Sequence, residues 1–378
     1  MKRFPSFILF AAKCCAVGAA TLILLFLLNS RYEQVMSNPY SDTNKFRFMD
    51  STYNNIQICN LGNSHGEYAF NYEKLSKKSG YECFNFAMSS QTYNYDYAIL
   101  SMYRTHFADD CIMFIPVSYF SFNNEVVNEE EAEFLNAKYY SFLSPRYIPH
   151  YSPYVDLVTH RLPILSAGED IVKILPALSL RAFAAEDTDT AAKNPADTEG
   201  TPRNGGPSGT GISAGSGGIL QTNAPSKNDG ASAHITGVQS SSTPADKEFR
   251  QKAKDRYRRH MENKEEYFLP ERIGNLYDIL DFCKGNGITP VLITTPYTAY
   301  YYEQAPAEFK EEFSRVITAI AADKGVPYYD YSEDSRFGNH LEYFSDADHL
   351  NEKGAGLFME IIKQEIPEFR DFLSRNKH

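Results

Sequence analysis

The run Ile56-Gln57-Ile58-Cys59-Asn60-Leu61-Gly62-Asn63-Ser64-His65-Gly66 is a short apolar segment that ends in a serine flanked by glycines. Residues 56–61 predict a strand, and residues 67–78 carry a helical pattern. The serine therefore sits in a tight turn between strand and helix. Open α/β sheets place their ligands beyond the carboxyl ends of their strands. Backbone N–H groups at a helix start can also stabilise an oxyanion. By itself Gly-x-Ser is a weak signal, because many turns contain it.

Outward from this turn the same alternation continues. Further strands are predicted at 82–86, 112–117, 290–294 and 327–331. Helical patterns fall at 94–106, 271–284, 307–323 and 352–366. Strand–helix alternation of this kind predicts an α/β fold of three layers, α/β/α, with a mostly parallel sheet covered on both faces. Residues 184–247 interrupt it: they hold no aromatic residue and are dominated by small and polar types. Such a segment buries too little apolar surface to offset its ordering entropy, so it reads as a disordered insertion within one domain. The expected organisation is an anchor at 1–30, a juxtamembrane segment at 31–54, a domain split between 55–183 and 248–378, and the insertion between its parts. The flanks 171–183 and 248–266 look helical. Arg256, Arg258, Arg259 and His260 in the second flank read as a solvated helix face.

A second piece lies near the other end of the chain, Phe344-Ser345-Asp346-Ala347-Asp348-His349-Leu350-Asn351, followed by a helix. A serine hydroxyl needs a base to take its proton, and the base needs a carboxylate to hold its tautomer. His349 suits the first role. Asp346, three residues earlier, can fold back onto the ring, whereas Asp348 should point elsewhere. Asn351 reads as the helix N-cap. A metal site on the Asp-x-Asp-His cluster is disfavoured because the sequence offers no evident third ligand. The third piece is Phe84-Asn85-Phe86-Ala87-Met88-Ser89-Ser90-Gln91, where a small residue lets the backbone approach the serine.

In order and spacing these pieces resemble the SGNH (GDSL-type) hydrolase superfamily, over most of residues 56–366 apart from the insertion. The resemblance implies Ser64 as nucleophile, Asp346 as triad acid and His349 as base, with no cofactor and no metal. It also implies an oxyanion hole, here assigned to Ser64, Ser90 and Ser118. Three departures stand out. Asn63 replaces the usual Asp beside the nucleophile, and Ser90 replaces the glycine of the second block. The third block, normally Gly-x-Asn-Asp, reads Ile115-Pro116-Val117-Ser118-Tyr119-Phe120-Ser121, so Ser118 is the nearest polar replacement and Asn123 a more distant one. Loss of a side-chain donor would cost on the order of 3 kcal/mol of transition-state stabilisation unless replaced. Asn63, His65 and Asn85 are candidate substrate contacts; a helix-start hydrogen bond is the plainer account of His65. Tyr300, Tyr301 and Tyr302 could stack on a sugar or simply pack a loop.

The N-terminus narrows the resemblance. After Lys2 and Arg3, residues 4–28 are apolar apart from Ser6, Lys13 and Thr21, which is long enough to cross a bilayer. No small-x-small cleavage site precedes Asn29-Ser30-Arg31, so an uncleaved signal anchor is expected, with the rest of the chain outside the cell membrane. The chain is thus similar to membrane-anchored SGNH-like proteins that partner membrane-bound O-acyltransferases, such as the teichoic-acid D-alanylation factor and the alginate acetylation proteins. Gly-x-Ser-His, the second block and Pro290-Val291-Leu292-Ile293-Thr294-Thr295-Pro296 carry that likeness. It implies an acyl-enzyme on Ser64 that passes an acyl group, acetyl by expectation, to a cell-surface polysaccharide or teichoic acid. A carbohydrate esterase and an inactive scaffold for the acyltransferase are the alternatives. A formal charge of -11, from 37 basic and 48 acidic residues, argues against nucleic-acid binding. Cys59, Cys83, Cys111 and Cys283 could pair or stay as buried thiols.

Overall fold

A computed structural model of the chain describes residues 4–36, 45–46, 49–123, 138–140, 142–149, 151–154, 156–166, 244–261 and 267–375. These belong to one unit, formed by Met1–Ala177 and Ser241–His378. The expected insertion at 184–247 falls outside the described residues except for 244–247, which open a helix. The expected helix at 171–183 also falls outside them.

Among the described residues five strands appear, one for each predicted: β1 (Ile56–Asn60), β2 (Cys83–Asn85), β3 (Phe107–Pro116), β4 (Thr289–Thr294) and β5 (Tyr328–Asp330). All neighbouring pairs run parallel, in the order β2-β1-β3-β4-β5. Alternation along each strand divides the core in two, because successive side chains leave opposite faces of a sheet. Ile58, Ile112, Phe114, Val291 and Ile293 face one apolar cluster, while Cys59, Met113, Ile115 and Leu292 face the other. The sheet is therefore covered on both sides, which accounts for strands that read as continuous apolar runs.

The helices described, in chain order, are α1 (Phe4–Met36), α2 (Met49–Thr52), α3 (Ser64–Ala69), α4 (Glu73–Ser79), α5 (Tyr93–Met102), α6 (Asp156–Arg161), α7 (Pro244–Met261), α8 (Pro270–Gly285), α9 (Ala299–Tyr302), α10 (Ala307–Lys324), α11 (Ser335–Gly338), α12 (Glu352–Glu365) and α13 (Pro367–Arg375). Several differ from the sequence reading, and the short helices α2, α6, α9 and α11 have no counterpart in it. The single helix expected at 67–78 is split into α3 and α4. Asn85 Nδ2 ends the first by donating to the carbonyls of Gly66, Glu67 and Phe70, at 3.2, 3.1 and 3.0 Å. The helix α1 runs on through Arg31 to Met36, past the expected polar stop. Helix α13 was not anticipated; Pro367 starts it, where a missing N–H does no harm. Within α1, Phe7–Tyr32 is apolar and long enough to cross a membrane. Cys59, Cys83, Cys111 and Cys283 are buried free thiols; the sulfurs of Cys59 and Cys111 lie 3.7 Å apart, a thiol hydrogen bond and not a disulfide.

Order 2-1-3-4-5 reverses direction between β1 and β3, so the loops leaving those two strands diverge and open a crevice at their carboxyl ends. Gly66 lets α3 lie close against that edge. A Cβ added there would meet Leu61 O at 2.4 Å, Ala87 Cβ at 2.9 Å and Pro116 Cγ at 3.0 Å. Gly66→Ala should therefore destabilise the chain by about 1–3 kcal/mol through overpacking. Gly274→Ala, in α8 with nothing within 4 Å, should instead raise stability by about 0.5–1 kcal/mol. Unfolding midpoints of the two variants in detergent should fall on opposite sides of the wild type.

Candidate active site

Ser64 is the first residue of α3, directly after β1 and the turn at Gly62, whose φ of +106° suits glycine. Asn63 caps the helix by accepting the His65 N–H at 3.0 Å. From below, buried Asp96 accepts the Gly62 N–H at 2.9 Å, fixing the turn that presents the serine. The histidine loop is built differently. An antiparallel bridge between Phe344 and Leu350 closes it, and Asn351 caps α12 by accepting the Gly354 N–H. Inside this loop Asp346 Oδ1 accepts the N–H groups of Asp348 and His349, at 3.1 and 2.9 Å, which leaves Oδ2 facing the imidazole.

The two loops meet. His349 Nε2 lies 2.7 Å from Ser64 Oγ, and His349 Nδ1 lies 2.9 Å from Asp346 Oδ2. Burial alone would raise the Asp346 carboxyl, but the hydrogen bond and charge of His349 outweigh it and hold the group below its ordinary value. This geometry can move a proton from a serine hydroxyl to an imidazole whose other nitrogen is held by a carboxylate.

Behind it lies a second His–Asp pair that the sequence did not reveal. His65 Nε2 is 3.0 Å from Asp348 Oδ2, and its Nδ1 is 2.7 Å from Ser118 Oγ. Both side chains of that pair are fully buried, and the two imidazoles sit 5.5 Å apart, edge to face. Burial lowers the His65 ring despite the carboxylate beside it. Asp348 goes the other way: burial opposes its charge, yet the hydrogen bond from His65 and nearby His349 and His260 keep it far below the usual carboxylate range. Its other oxygen lies 3.0 Å from Arg256 Nε, an ion pair without good hydrogen-bond alignment. The same guanidinium reaches His349, with Nη2 at 3.0 Å from Nε2 and 3.3 Å from Nδ1. Near-equal distances to both ring nitrogens place it over the ring rather than along either lone pair. His260, one turn further along α7, bonds Tyr301 OH at 2.7 Å, and burial pushes it down to about 3.

A cavity of about 460 Å³ opens on this assembly, lined by Ser64, Ser90, Asn123, Arg256, Arg259 and His349 among others. That volume suits a small ligand or one unit of a polymer. Ser90 holds φ +60°, the left-handed conformation that a glycine adopts freely, so the departure at this position keeps the backbone shape. The N–H groups of Ser64 and Ser90 bond no acceptor among the described residues, and both residues line the cavity. Tyr68, 46 % exposed, lies over the mouth with its ring 4.8 Å from that of His349. A larger groove of about 790 Å³ between α4, α12 and α13 contains none of these residues.

Several sequence expectations change. Ser118 does not line the cavity: its hydroxyl engages His65, and its N–H donates to Ser121 Oγ at 2.8 Å. Asn123 lines it instead, with Nδ2 donating to the His260 carbonyl at 2.8 Å and Oδ1 buried without a partner. Asn63, His65 and Asn85 do not line this cavity, and each is used by the fold: the first as cap, the second in the buried pair, the third ending α3. Tyr300 and Tyr301 are buried packing residues. The basic cluster on α7 is not a uniform solvated face. Arg258 points outward, while Arg256 and His260 turn inward, a division legible in their i, i+4 spacing.

The sequence offered no third metal ligand, and the structure supplies one. Donor atoms of His65, Asp348 and His349 lie within 4.8 Å of one another. Their lone pairs are already engaged, however, and the Arg256 guanidinium provides the positive charge between His349 and Asp348. A metal would have to displace that cation.

No family model and no curated protein matches the chain. Among solved structures it is similar to a protein of Bacteroides fragilis NCTC 9343 provisionally described as an acylhydrolase. The likeness spans 90% of this chain and 100% of that one, at 11% identity and a TM-score of 0.36. A likeness that loose fixes neither fold nor activity.

Asp96 generates a pH test. Burial raises its carboxyl from 3.8 to about 7, against the bonds from Gly62 and Gln91. Between those values the native state holds a proton that the unfolded state has lost, so stability is full below pH 4 and falls as pH rises to about 7. Relative to Asp96→Asn, the wild type should lose on the order of 4 kcal/mol across that window and then level off. Urea unfolding from pH 4 to 8 reads the difference; parallel curves for the two proteins would show that Asp96 is not a buried neutral acid.

Proposed function

We propose that the chain is a membrane-anchored, extracytoplasmic serine acyltransferase or esterase of the SGNH type, with Ser64 as nucleophile, His349 as base and Asp346 as its orienting carboxylate. The observation that carries this reading is the hydrogen-bonded series Asp346–His349–Ser64 opening on a cavity. In the first step Ser64 Oγ attacks the carbonyl carbon of a donor ester while His349 Nε2 takes the hydroxyl proton. The oxyanion that forms faces the N–H groups of Ser64 and Ser90, with Asn123 rather than Ser118 as the side-chain neighbour. Collapse breaks the ester C–O bond, and the departing alcohol takes the proton back from His349. Acyl-Ser64 then passes its group to an acceptor hydroxyl, or to water, by the reverse sequence.

Arg256 and Arg259 line the same cavity, and Arg259 has no ion-pair partner among the described residues. Both favour an acceptor that carries phosphate or carboxylate near its hydroxyl, as a teichoic acid or an acidic polysaccharide does. Helix α1 would hold the domain beside a membrane-bound O-acyltransferase that delivers the acyl group. A carbohydrate esterase would use the same residues with water as acceptor, and product analysis distinguishes the two.

The test is a fluorophosphonate label or an activated acetyl ester offered to the full chain in detergent. Ser64→Ala and His349→Ala should each reduce labelling or turnover by about three orders of magnitude or more. Asp346→Asn should lower turnover while the chain stays folded by circular dichroism. Equal signal in wild type and Ser64→Ala would remove Ser64 from the nucleophile role.

A further inference from the structure

The end of α1 is pinned to a small surface element of the domain. Asn29, near the end of the apolar span, is buried, and its Oδ1 accepts the Ile164 N–H at 3.1 Å. Ile164 belongs to a 3-10 turn, Pro163–Ser166, which packs on both α1 and α6. This element carries an unusual share of the exposed apolar surface. Outside α1, the large hydrophobics exposed among the described residues are four tyrosines and three aliphatic residues. All three aliphatics, Leu157, Val158 and Leu165, fall in α6 and the turn beside it, at 47, 53 and 51 % exposure. Tyr154, just before α6, is 97 % exposed.

The position of this element along α1 says what it faces. Phe7–Tyr32 spans 26 residues, roughly 39 Å at helical rise, against a hydrocarbon core of about 30 Å. Asn29, within a turn of the end of that span, therefore lies at the level of the lipid headgroups. Aliphatic side chains exposed at that depth meet the outer part of the acyl chains, and a tyrosine there has its ring in the interface and its hydroxyl in water. Arg161, also exposed, is available to lipid phosphates.

We propose that Tyr154, α6 and the Pro163–Ser166 turn form a lipid-binding surface that seats the domain on the outer leaflet from which α1 emerges. The proposal rests on α1 as a membrane anchor and is independent of the chemistry assigned to Ser64. Its consequence is a fixed orientation: the domain would not swing freely on its anchor, and the cavity at Ser64 would face the bilayer at one set angle.

The chain contains no tryptophan, so one introduced residue reports alone. Tyr154→Trp replaces an exposed side chain and should not disturb folding; Tyr267→Trp, remote in sequence and 39 % exposed, is the control. Each full chain is reconstituted into phosphatidylcholine vesicles, with and without bromine on the acyl chains near the headgroup, and co-flotation is checked. The expected result is blue-shifted emission from residue 154, quenched about twofold by brominated lipid, with the control unquenched. Flotation with unquenched emission at 154 would overturn the lipid surface alone. Blue-shifted but unquenched emission would mean that protein covers it, which also overturns the proposal. Failure to float would overturn the anchor and this surface together.

Discussion

One hydrogen bond, from Ser64 to His349, joins residues 285 positions apart, and the arrangement of the site depends on whether the chain can close it. Closure is set by topology. In a parallel sheet ordered 2-1-3-4-5 the loops after β1 and β3 part at the carboxyl edge. Ser64 leaves β1 at that point, and the loop from Phe344 to Leu350, closed by its own bridge, brings His349 over it. Gly66 keeps α3 close, because any side chain there would strike the Leu61 carbonyl. Asp96 ties the Gly62 turn to the start of α5. The hydroxyl is thus presented by backbone geometry rather than by a mobile side chain.

Two His–Asp pairs stand side by side with different environments. Asp346 keeps 44 % of its side chain exposed and meets His349 at the cavity. Asp348 and His65 are fully buried and bond each other, Ser118 takes the other ring nitrogen of His65, and the Arg256 ion pair balances the Asp348 charge. An unpaired buried charge is costly, so removing Asp348 would leave Arg256 and His65 without their partner. In the proposed reading, the outer pair does chemistry, and the inner pair holds the arginine that crosses above His349. Arg256 comes from α7, beyond residues 184–243, so the site is completed by both halves of the sequence.

Much of this was legible in the residues. All five strands, the turn that holds Ser64 and the loop before α12 follow from apolar runs, glycines and capping side chains, which are local signals. What stayed hidden depends on tertiary contact. Nothing local says that Asn85 would end α3, or that His65, two residues before a predicted helix, would find Asp348 283 positions away. Ser118 was the nearest polar residue in its block, yet packing turns its hydroxyl to His65 and leaves the cavity wall to Asn123. The α7 cluster was readable in part: Arg256 and His260 share a helical face, but whether that face met solvent or the site depended on where α7 docks.

As the proposed nucleophile, Ser64 carries an acyl group during turnover. Peptide-mapping mass spectrometry after brief exposure to an activated acetyl ester, quenched in acid, reads this directly. The expected result is an acetyl group on the peptide containing Ser64 in the wild type, and none there in His349→Ala. Acetylation at other residues with the Ser64 peptide unmodified, or equal modification of Ser64 without His349, would contradict it.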